Sequence, residues 1–178
     1  MERKGMKMVR GKIPVFQIVG YKNSGKTTLM EWLVEQLALS GIRAGTIKHH
    51  GHGGKPARSE NTDSSRFLKA GADCSAVVGD GEWQLILSES MPLTLEQMIE
   101  MQKMLGADLI LIEGFKNEHY PKIVMLRGEG DMQLLQLDNV IGAGGWQRPS
   151  LSNEELLAFS LENFEEYSKD VMELLMSR

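Results

Sequence analysis

The stretch GYKNSGKTT, residues 20–28, decides the fold of this chain. It matches the phosphate-binding loop pattern G-x-x-x-x-G-K-[ST] at every fixed position. Gly20 and Gly25 allow the backbone to adopt positive φ and to approach an anion closely. The N–H groups of such a loop form a nest for phosphate oxygens. Lys26 is then expected to reach the β- and γ-phosphates, and Thr27 to place its hydroxyl on Mg²⁺.

The loop therefore supplies most of the predicted nucleotide contacts. These residues are Gly20, Lys22, Asn23, Ser24, Gly25, Lys26, Thr27 and Thr28. Lys26 is also a candidate catalytic residue, because its charge would stabilise the γ-phosphoryl group during in-line attack by water. No strong general base is evident in the sequence, so slow hydrolysis is expected.

The segments on both sides of the loop have the required order of strand, loop and helix. Residues 13–19 are mostly apolar and β-branched, which is typical of a buried strand. Apolar residues then recur at helical spacing until Ser40–Gly41. Residues 42–48 form a second strand pattern, so the two strands are expected to be parallel with a right-handed crossover.

The later patterns complete an α/β fold of the P-loop NTPase-like class, a mostly parallel sheet flanked by helices. Asp80–Gly81, between two apolar runs, predicts an antiparallel hairpin extension. Strand patterns occupy 74–79, 82–88, 109–112, 121–127 and 140–141, and helical patterns occupy 61–72 and 93–105.

The predicted organisation is a basic tail over residues 1–12 followed by a single nucleotide-binding domain over 13–178. From Ser152 the pattern becomes helical, and Ser152 with Glu155 matches a capping box. C-terminal helices are therefore expected at about 152–176.

Composition excludes several classes of function. The chain has 178 residues, 42% hydrophobic and 25% charged, as in an ordinary globular domain. A net charge of −4 offers no electrostatic footprint for nucleic acid. No apolar run approaches the roughly 20 residues that span a bilayer. We therefore expect no membrane partner. The single cysteine, Cys74, allows no intrachain disulfide, and we expect the protein to be in the reducing cytoplasm.

Glu113 is the candidate second carboxylate of the site. It follows four branched apolar residues typical of a central parallel strand, and it lies at the C-terminal end, where ligands bind in such sheets. We predict that Glu113 acts with Thr27 on Mg²⁺, directly or through water, and has a catalytic role. The alternative is an ordinary acidic strand end.

Asp63 and Arg66 lie in a predicted helix that begins at Asn61, Thr62 or Asp63. Asp63 could orient a water near the γ-phosphate as a catalytic residue, and Arg66 could bind phosphate. The alternatives are an N-cap for Asp63 and a solvated helix face for Arg66, and the residues alone do not decide between them.

His49, His50 and His52 lie in a glycine-rich loop after the second strand. Three histidines could bind a metal. Adjacent residues of an extended chain face opposite sides, however, so a flexible polar loop, or one that contacts nucleotide or a partner, is the favoured interpretation.

Taken together, these motifs resemble the molybdopterin-guanine dinucleotide biosynthesis protein B family, MobB. The resemblance covers residues 13 to 127. Its motifs are GYKNSGKTTL (20–29), GTIKHHGH (45–52), DSSRFLKAGA (63–72), LILIEGFK (109–116) and PKI (121–123).

The resemblance implies a P-loop GTPase-like fold, a homodimer, and GTP binding with slow hydrolysis. It also implies an accessory role in attaching GMP to molybdopterin, with the guanylyltransferase MobA as partner. Lys26, Thr27 and Glu113 match as nucleotide and Mg²⁺ residues, and Asp63 and Arg66 match as active-site residues. The sequence shows no N-K-x-D motif near its C-terminal strands, so the choice of GTP over ATP comes from the resemblance alone.

Two other functions use the same features. A small-molecule kinase would transfer the γ-phosphoryl group, but it needs an arginine-rich lid that the sequence does not show. A nucleotide-dependent metallochaperone or scaffold would use the three histidines.

Overall fold

The computed structural model describes residues 13–49 and 62–177. Its contacts divide the chain into two compact units, Met1–Gly51 with Ile99–Arg178, and His52–Met98, and we describe each by itself. The basic tail over 1–12, His50, His52 and the possible cap Asn61 lie outside the described residues. The organisation as a single domain stays a prediction.

The structured elements follow one another along the chain as eight strands, four α-helices and one 3-10 helix within the described ranges. In order they are β1 (Val15–Gly20), α1 (Lys26–Leu39), β2 (Ala44–Lys48), α2 (Asp63–Lys69), β3 (Cys74–Gly79), β4 (Glu82–Leu87), α3 (Leu95–Met104), β5 (Leu109–Glu113), β6 (Lys122–Leu126), a 3-10 helix (Glu129–Gln136), β7 (Val140–Gly145), β8 (Leu157–Ser160) and α4 (Phe164–Met176).

The larger unit is built on a six-stranded sheet in the order β2-β5-β1-β6-β7-β8, and every neighbouring pair is parallel. The predicted α/β fold, a mostly parallel sheet flanked by helices with an antiparallel hairpin extension, is therefore confirmed, and the hairpin forms a two-stranded sheet of its own. β1 is central, with Ile18 opposite Glu113 of β5 and Gly20 opposite Met125 of β6. The C-terminal ends of all three strands consequently meet at one edge of the sheet.

The core of this unit lies between α1, α4 and one face of the sheet. Leu29, Leu33 and Leu37 recur along one side of α1 and are fully buried against residues such as Phe16. Each such side chain contributes roughly 1.5–3 kcal/mol of transfer free energy relative to exposure. This packing fixes the axis of α1, and so the direction in which the loop before it points.

Lys122 is a lysine with no exposed surface at the start of β6. Its ammonium donates to the carbonyl oxygens of Glu118, at 2.8 Å, and of Asp138. Burial lowers the pKa of Lys122, while Asp138 and Glu118 oppose that shift. These bonds tie the segments that enter β6 and β7.

The C-terminal region differs from the sequence-based prediction. The helix predicted from Ser152 is wrong over its first part, because residues 157–160 form β8 and α4 begins only at Phe164. The predicted capping box is also absent: the backbone N–H of Glu155 donates to the side chain of Asn153 at 2.9 Å.

The reason for this difference is pairing with β7. The segment VIGAGG of β7 offers a free edge, and β8 pairs with it in parallel register from Gly142–Leu157 to Gly145–Ser160. Phe159, fully buried, lies over Gly144, where an added Cβ would overlap its ring. A glycine gap in one strand therefore accepts the aromatic ring of the next.

The smaller unit contains α2 and the β3–β4 hairpin. Asp80 and Gly81 both have positive φ, 48° and 82°, as the predicted two-residue turn requires. Its apolar side chains are largely exposed; they are Phe67, Val77, Val78, Trp83, Leu85 and Met91. No helix in the described ranges has the length and apolar character needed to cross a bilayer.

We expect Gly144→Ala to lower the free energy of unfolding by about 1–3 kcal/mol, because the new methyl group overpacks the core against Phe159. Urea unfolding measures the change. Gly130→Ala is the control, since a Cβ there meets nothing within 4 Å. Equal stability of the two variants would contradict the packing of β8 on β7.

Candidate functional site

The glycine loop, residues 20–28, joins the end of β1 to the start of α1. Asn23 and Gly25 have φ of 63° and 88°, in the left-handed region. Such turns direct successive N–H groups to one side and form anion-binding concavities. A Cβ at Gly20 would overlap the carbonyl oxygen of Met125, and one at Gly25 would overlap the side chain of Leu161. Gly20 is therefore required by space, because the overlapping atom belongs to the backbone, and Gly25 by its positive φ.

Ser24 is the buried residue of this loop. Its side-chain oxygen has no hydrogen-bond partner among the described residues, and it lies 2.6 Å from the position that a Cβ on Gly20 would take. A buried hydroxyl without a partner is uncommon. Lys22 and Thr28, by contrast, are exposed.

Lys26 lies within the turn of the loop. Its ammonium donates to the carbonyl oxygen of Tyr21 at 2.7 Å. Burial lowers the pKa of Lys26; Glu113 opposes this shift, while the positive charges of Lys48 and Arg127 add to it. Lys26 therefore lies near one acidic side chain and two basic side chains.

Glu113 is the last residue of β5 and is buried, with about 10% of its side chain exposed. Its Oε2 accepts from Lys48 Nζ at 3.0 Å and from Thr27 Oγ1 at 3.4 Å. The fold therefore brings together three of the predicted residues, Lys26, Thr27 and Glu113, and adds Lys48. Lys48 ends β2 directly opposite Glu113, a relation set by strand register that the sequence does not display.

Gln17 supports this arrangement from within β1. It is completely buried, and its Nε2 donates to the carbonyl oxygens of Gly114, at 3.0 Å, and Phe115, at 2.6 Å. Gly114 and Phe115 both have positive φ, 98° and 51°. Gln17 thus holds the unusual turn that follows Glu113. The signal for this role in the sequence is a single polar residue within an otherwise apolar strand, and the strand pattern alone does not predict it.

Arg127 is a second residue that the sequence analysis missed. It directly follows β6, and its guanidinium donates to Asp131 at 2.8 and 2.7 Å, with the backbone N–H of Arg127 adding a third bond at 3.0 Å. Its Cζ also lies 5.0 Å from the centroid of the Tyr21 ring. Hydrogen bonding by Arg127 lowers the pKa of buried Asp131. The ion pair thus holds the guanidinium of Arg127 beside Tyr21 of the glycine loop.

Asp63 and Arg66 belong to the smaller unit. They form an ion pair with each other at 3.1 Å, and both side chains are more than three-quarters exposed. The N-cap of α2 is Thr62, whose hydroxyl accepts from the N–H of Ser65, so Asp63 is the first helical residue and not the cap. Their active-site roles stay predictions.

His49 is the one member of the predicted histidine group inside the described residues, and it packs against the ring of Phe115 with centroids 4.6 Å apart. Residues 13–49 and 62–177 contain no group of three or more histidine, cysteine or acidic residues placed to bind a metal ion.

The donors at the loop fit Mg²⁺ better than a transition metal. Thr27 supplies a hydroxyl and Glu113 a buried carboxylate, 3.4 Å apart, and Mg²⁺ selects hard oxygen ligands of this kind. Mg²⁺ typically takes only one or two protein oxygens and completes its shell with water and phosphate.

A central strand, a glycine loop with its lysine at the helix start, and a carboxylate on the neighbouring strand define a P-loop NTPase-like protein. Comparison with known families is more specific. The family model for MobB, molybdopterin guanine dinucleotide synthesis protein B, matches residues 15–143. The chain belongs to the MobB family.

Individual relatives agree with this assignment. The chain is 43% identical to the probable molybdopterin-guanine dinucleotide biosynthesis adapter protein of Bacillus subtilis over 137 residues, 76% of this chain and 78% of the relative. It is 33% identical to the adapter protein of Haemophilus influenzae, over 84% and 83% of the two chains. The crystal structure of Bacillus subtilis MobB is similar with a TM-score of 0.74 and 34% identity, covering 91% of this chain and 98% of that one.

We expect Asp131→Asn to lower the urea midpoint at neutral pH, because it removes the carboxylate that holds Arg127. The pKa of Asp131 is depressed in the folded state, so its contribution is complete above about pH 3.9, the value for an unfolded chain, and is lost as the pH falls through the folded value. The difference from wild type should therefore shrink in acid.

Unfolding curves from pH 7 to pH 3 measure this effect, with Asp170→Asn on the exposed side of α4 as control. A difference that stays constant over the whole range would show that the charge of Asp131 is not involved.

Proposed function

We propose that this chain is a Mg²⁺-dependent GTP-binding adapter with weak GTPase activity that assists the attachment of GMP to molybdopterin. The observation that carries the proposal is the grouping of Lys26, Thr27 and Glu113 around a glycine loop of left-handed conformation. Membership of the MobB family supports the biosynthetic context. The cytoplasmic location expected from the sequence is part of the same proposal.

In this proposal the glycine loop binds the phosphates through its backbone N–H groups and through a few of its side chains. The N–H groups of residues 20–28 cradle the β-phosphate, and the ammonium of Lys26 neutralises the β- and γ-oxygens. Thr27 and Glu113 hold Mg²⁺, which when bound supplies positive charge to the same oxygens. The buried hydroxyl of Ser24 has no hydrogen-bond partner in residues 13–49 and 62–177, and it would be available for a phosphate oxygen or a water.

Hydrolysis is expected to be slow, for reasons that the contacts support. Glu113 is already paired with Lys48, so its carboxylate is a poor base for a water. Arg127 is held by Asp131, which offsets its charge. In-line attack of water would thus depend on positioning, with Asp63 and Arg66 as the remaining candidates. Slow hydrolysis is compatible with an adapter that acts while GTP is bound and does not depend on rapid turnover of GTP.

The proposed partners are a molybdopterin guanylyltransferase of the MobA type and, through it, molybdopterin. This proposal takes its support from the names of the relatives, which are called adapter proteins of molybdopterin-guanine dinucleotide biosynthesis.

We expect wild type to bind GTP in Mg²⁺ more tightly than ATP, and Lys26→Ala to weaken GTP binding by about 10- to 150-fold, the effect of losing a charge-assisted hydrogen bond of about 1.5–3 kcal/mol. Isothermal titration calorimetry with and without Mg²⁺ measures both. Lys169→Ala is the control, because Lys169 lies exposed on α4 and pairs there with Glu173.

Three other outcomes would redirect the proposal. Equal or tighter ATP binding would contradict the guanine preference. Rapid phosphoryl transfer to a nucleoside or pterin would favour a kinase, and nucleotide-dependent metal binding that is lost in a His50→Ala, His52→Ala variant would favour a metallochaperone. The adapter role fails if the chain, with GTP, leaves the rate of GMP attachment by the guanylyltransferase unchanged.

We also propose that the chain forms a homodimer through the β3–β4 hairpin. Within the described residues each of these strands pairs only with the other, and an isolated two-stranded hairpin is marginally stable in water. Val78 and Trp83, which are paired across the hairpin, are 77% and 51% exposed. A second copy of the hairpin would cover this apolar surface and satisfy the free strand edges.

The prediction is a dimeric mass for wild type and a monomeric mass for Val78→Lys, because a charge at this position cannot be desolvated cheaply. Light scattering after size-exclusion chromatography over a concentration series measures the mass. Leu39→Lys, at an exposed apolar residue of α1, should remain dimeric. A monomeric wild type, or a dimeric Val78→Lys variant, would rule out this interface.

A further inference from the structure

We infer that Trp146 and Glu162, at the C-terminal ends of β7 and β8, form the nucleobase subsite of the nucleotide site, with Trp146 as stacking platform and Glu162 as reader of guanine. This inference depends on the proposed nucleotide binding. It supplies the base-reading element that the missing N-K-x-D motif leaves unassigned.

The two residues are held together by backbone bonds that continue just past the strands. The N–H of Leu161 donates to Gly145 O at 2.7 Å, and the N–H of Glu162 donates to Trp146 O at 3.1 Å. The hydroxyl of Ser160 adds a bond to the same Trp146 carbonyl at 2.6 Å. These hydrogen bonds hold the backbones of Trp146 and Glu162 side by side just beyond the ends of β7 and β8.

This strand end adjoins the glycine loop. The side chain of Leu161, between Ser160 and Glu162, packs so closely on Gly25 that a Cβ there would overlap it. The subsite and the phosphate loop thus touch through one residue, within the same compact unit. Ligands of open parallel sheets bind along this C-terminal edge.

The arrangement of charges sets the direction of the nucleotide along that edge. Thr27, Glu113 and Lys48 lie on the side of β1 that carries β5 and β2. They are the donors suited to the metal and the γ-phosphate. A triphosphate that lies along the glycine loop with its γ-phosphate at these residues would place its nucleoside on the other side of β1, the side of β6, β7 and β8.

The chemistry of the two side chains suits a purine. Trp146 is 47% exposed although it follows a buried strand, and an exposed indole offers a flat apolar face for stacking. The exposed carboxylate of Glu162 can accept from the N1–H and the N2 amino group of guanine. Adenine presents an acceptor at N1, which a carboxylate repels. Glu162 would therefore determine specificity, and Trp146 would bind either purine.

The test compares Mg²⁺ complexes of GTP, ATP and inorganic tripolyphosphate by calorimetry on the full chain. Trp146→Ala should weaken GTP and ATP binding by roughly 5- to 150-fold, the usual range for one stacked base, and leave tripolyphosphate binding unchanged. Trp146→Phe should restore most of the affinity. Leu39→Ala is the control, since Leu39 is an exposed apolar residue at the C-terminal end of α1, outside both the proposed site and the proposed hairpin interface.

Glu162→Gln should reduce the preference for GTP over ATP about tenfold or more, mainly by weakening GTP, because it removes one acceptor oxygen and its charge. Nucleotide affinities that are unchanged in both Trp146→Ala and Trp146→Phe would overturn the subsite, and so would wild type binding GTP no more tightly than tripolyphosphate. If wild type binds neither tripolyphosphate nor GTP nor ATP, the proposed nucleotide binding itself is contradicted, and the subsite with it.

Discussion

The parallel pairing of β1 with β5 on one side and β6 on the other is the constraint on which the rest of the structure depends. It places Gly20, Glu113 and Arg127 at the same edge although they are far apart in sequence. No local property of the chain could achieve this. The burial of both faces of β1, with Ile18 and Val19 fully enclosed, makes a shift in register costly and so keeps these residues in place.

Acidic and basic side chains lie close together at this edge of the sheet. Three cations, Lys26, Lys48 and Arg127, converge on a small region in which Glu113 and Asp131 are the buried acids. Removing a charge from water is costly unless it is paired, and each of these acids has a cationic partner. The surplus of positive charge that remains would favour an anionic ligand. Without these neighbouring charges, the glycine loop would be a turn with an exposed lysine and would attract an anion less strongly.

The sequence alone predicted the elements whose signals are local. The glycine loop has a fixed pattern, the hairpin has Asp80–Gly81 at its turn, and Glu113 ends an apolar run. The sequence failed where the answer depends on a distant strand. Residues 157–160 have apolar spacing compatible with a helix, and they form β8 only because β7 offers an edge and a gap at Gly144.

The site follows the same division. Lys26 and Thr27 were predictable from the loop pattern, whereas Lys48 and Gln17 gain their roles from the strands beside them. Arg127 required knowledge of where β6 ends and of the turn that brings Asp131 back to it. Trp146 and Glu162 become a candidate pair only after the pairing of β7 with β8 is known.

The contact between Leu161 and Gly25 has a consequence for how the protein matures. Residues 20–28 are translated long before Leu161, whose side chain packs on the loop at Gly25. A nascent chain with β1 and α1 already exposed would hold a glycine loop without its support. The loop is therefore expected to gain this contact only after Leu161 has been synthesised and β8 has paired with β7.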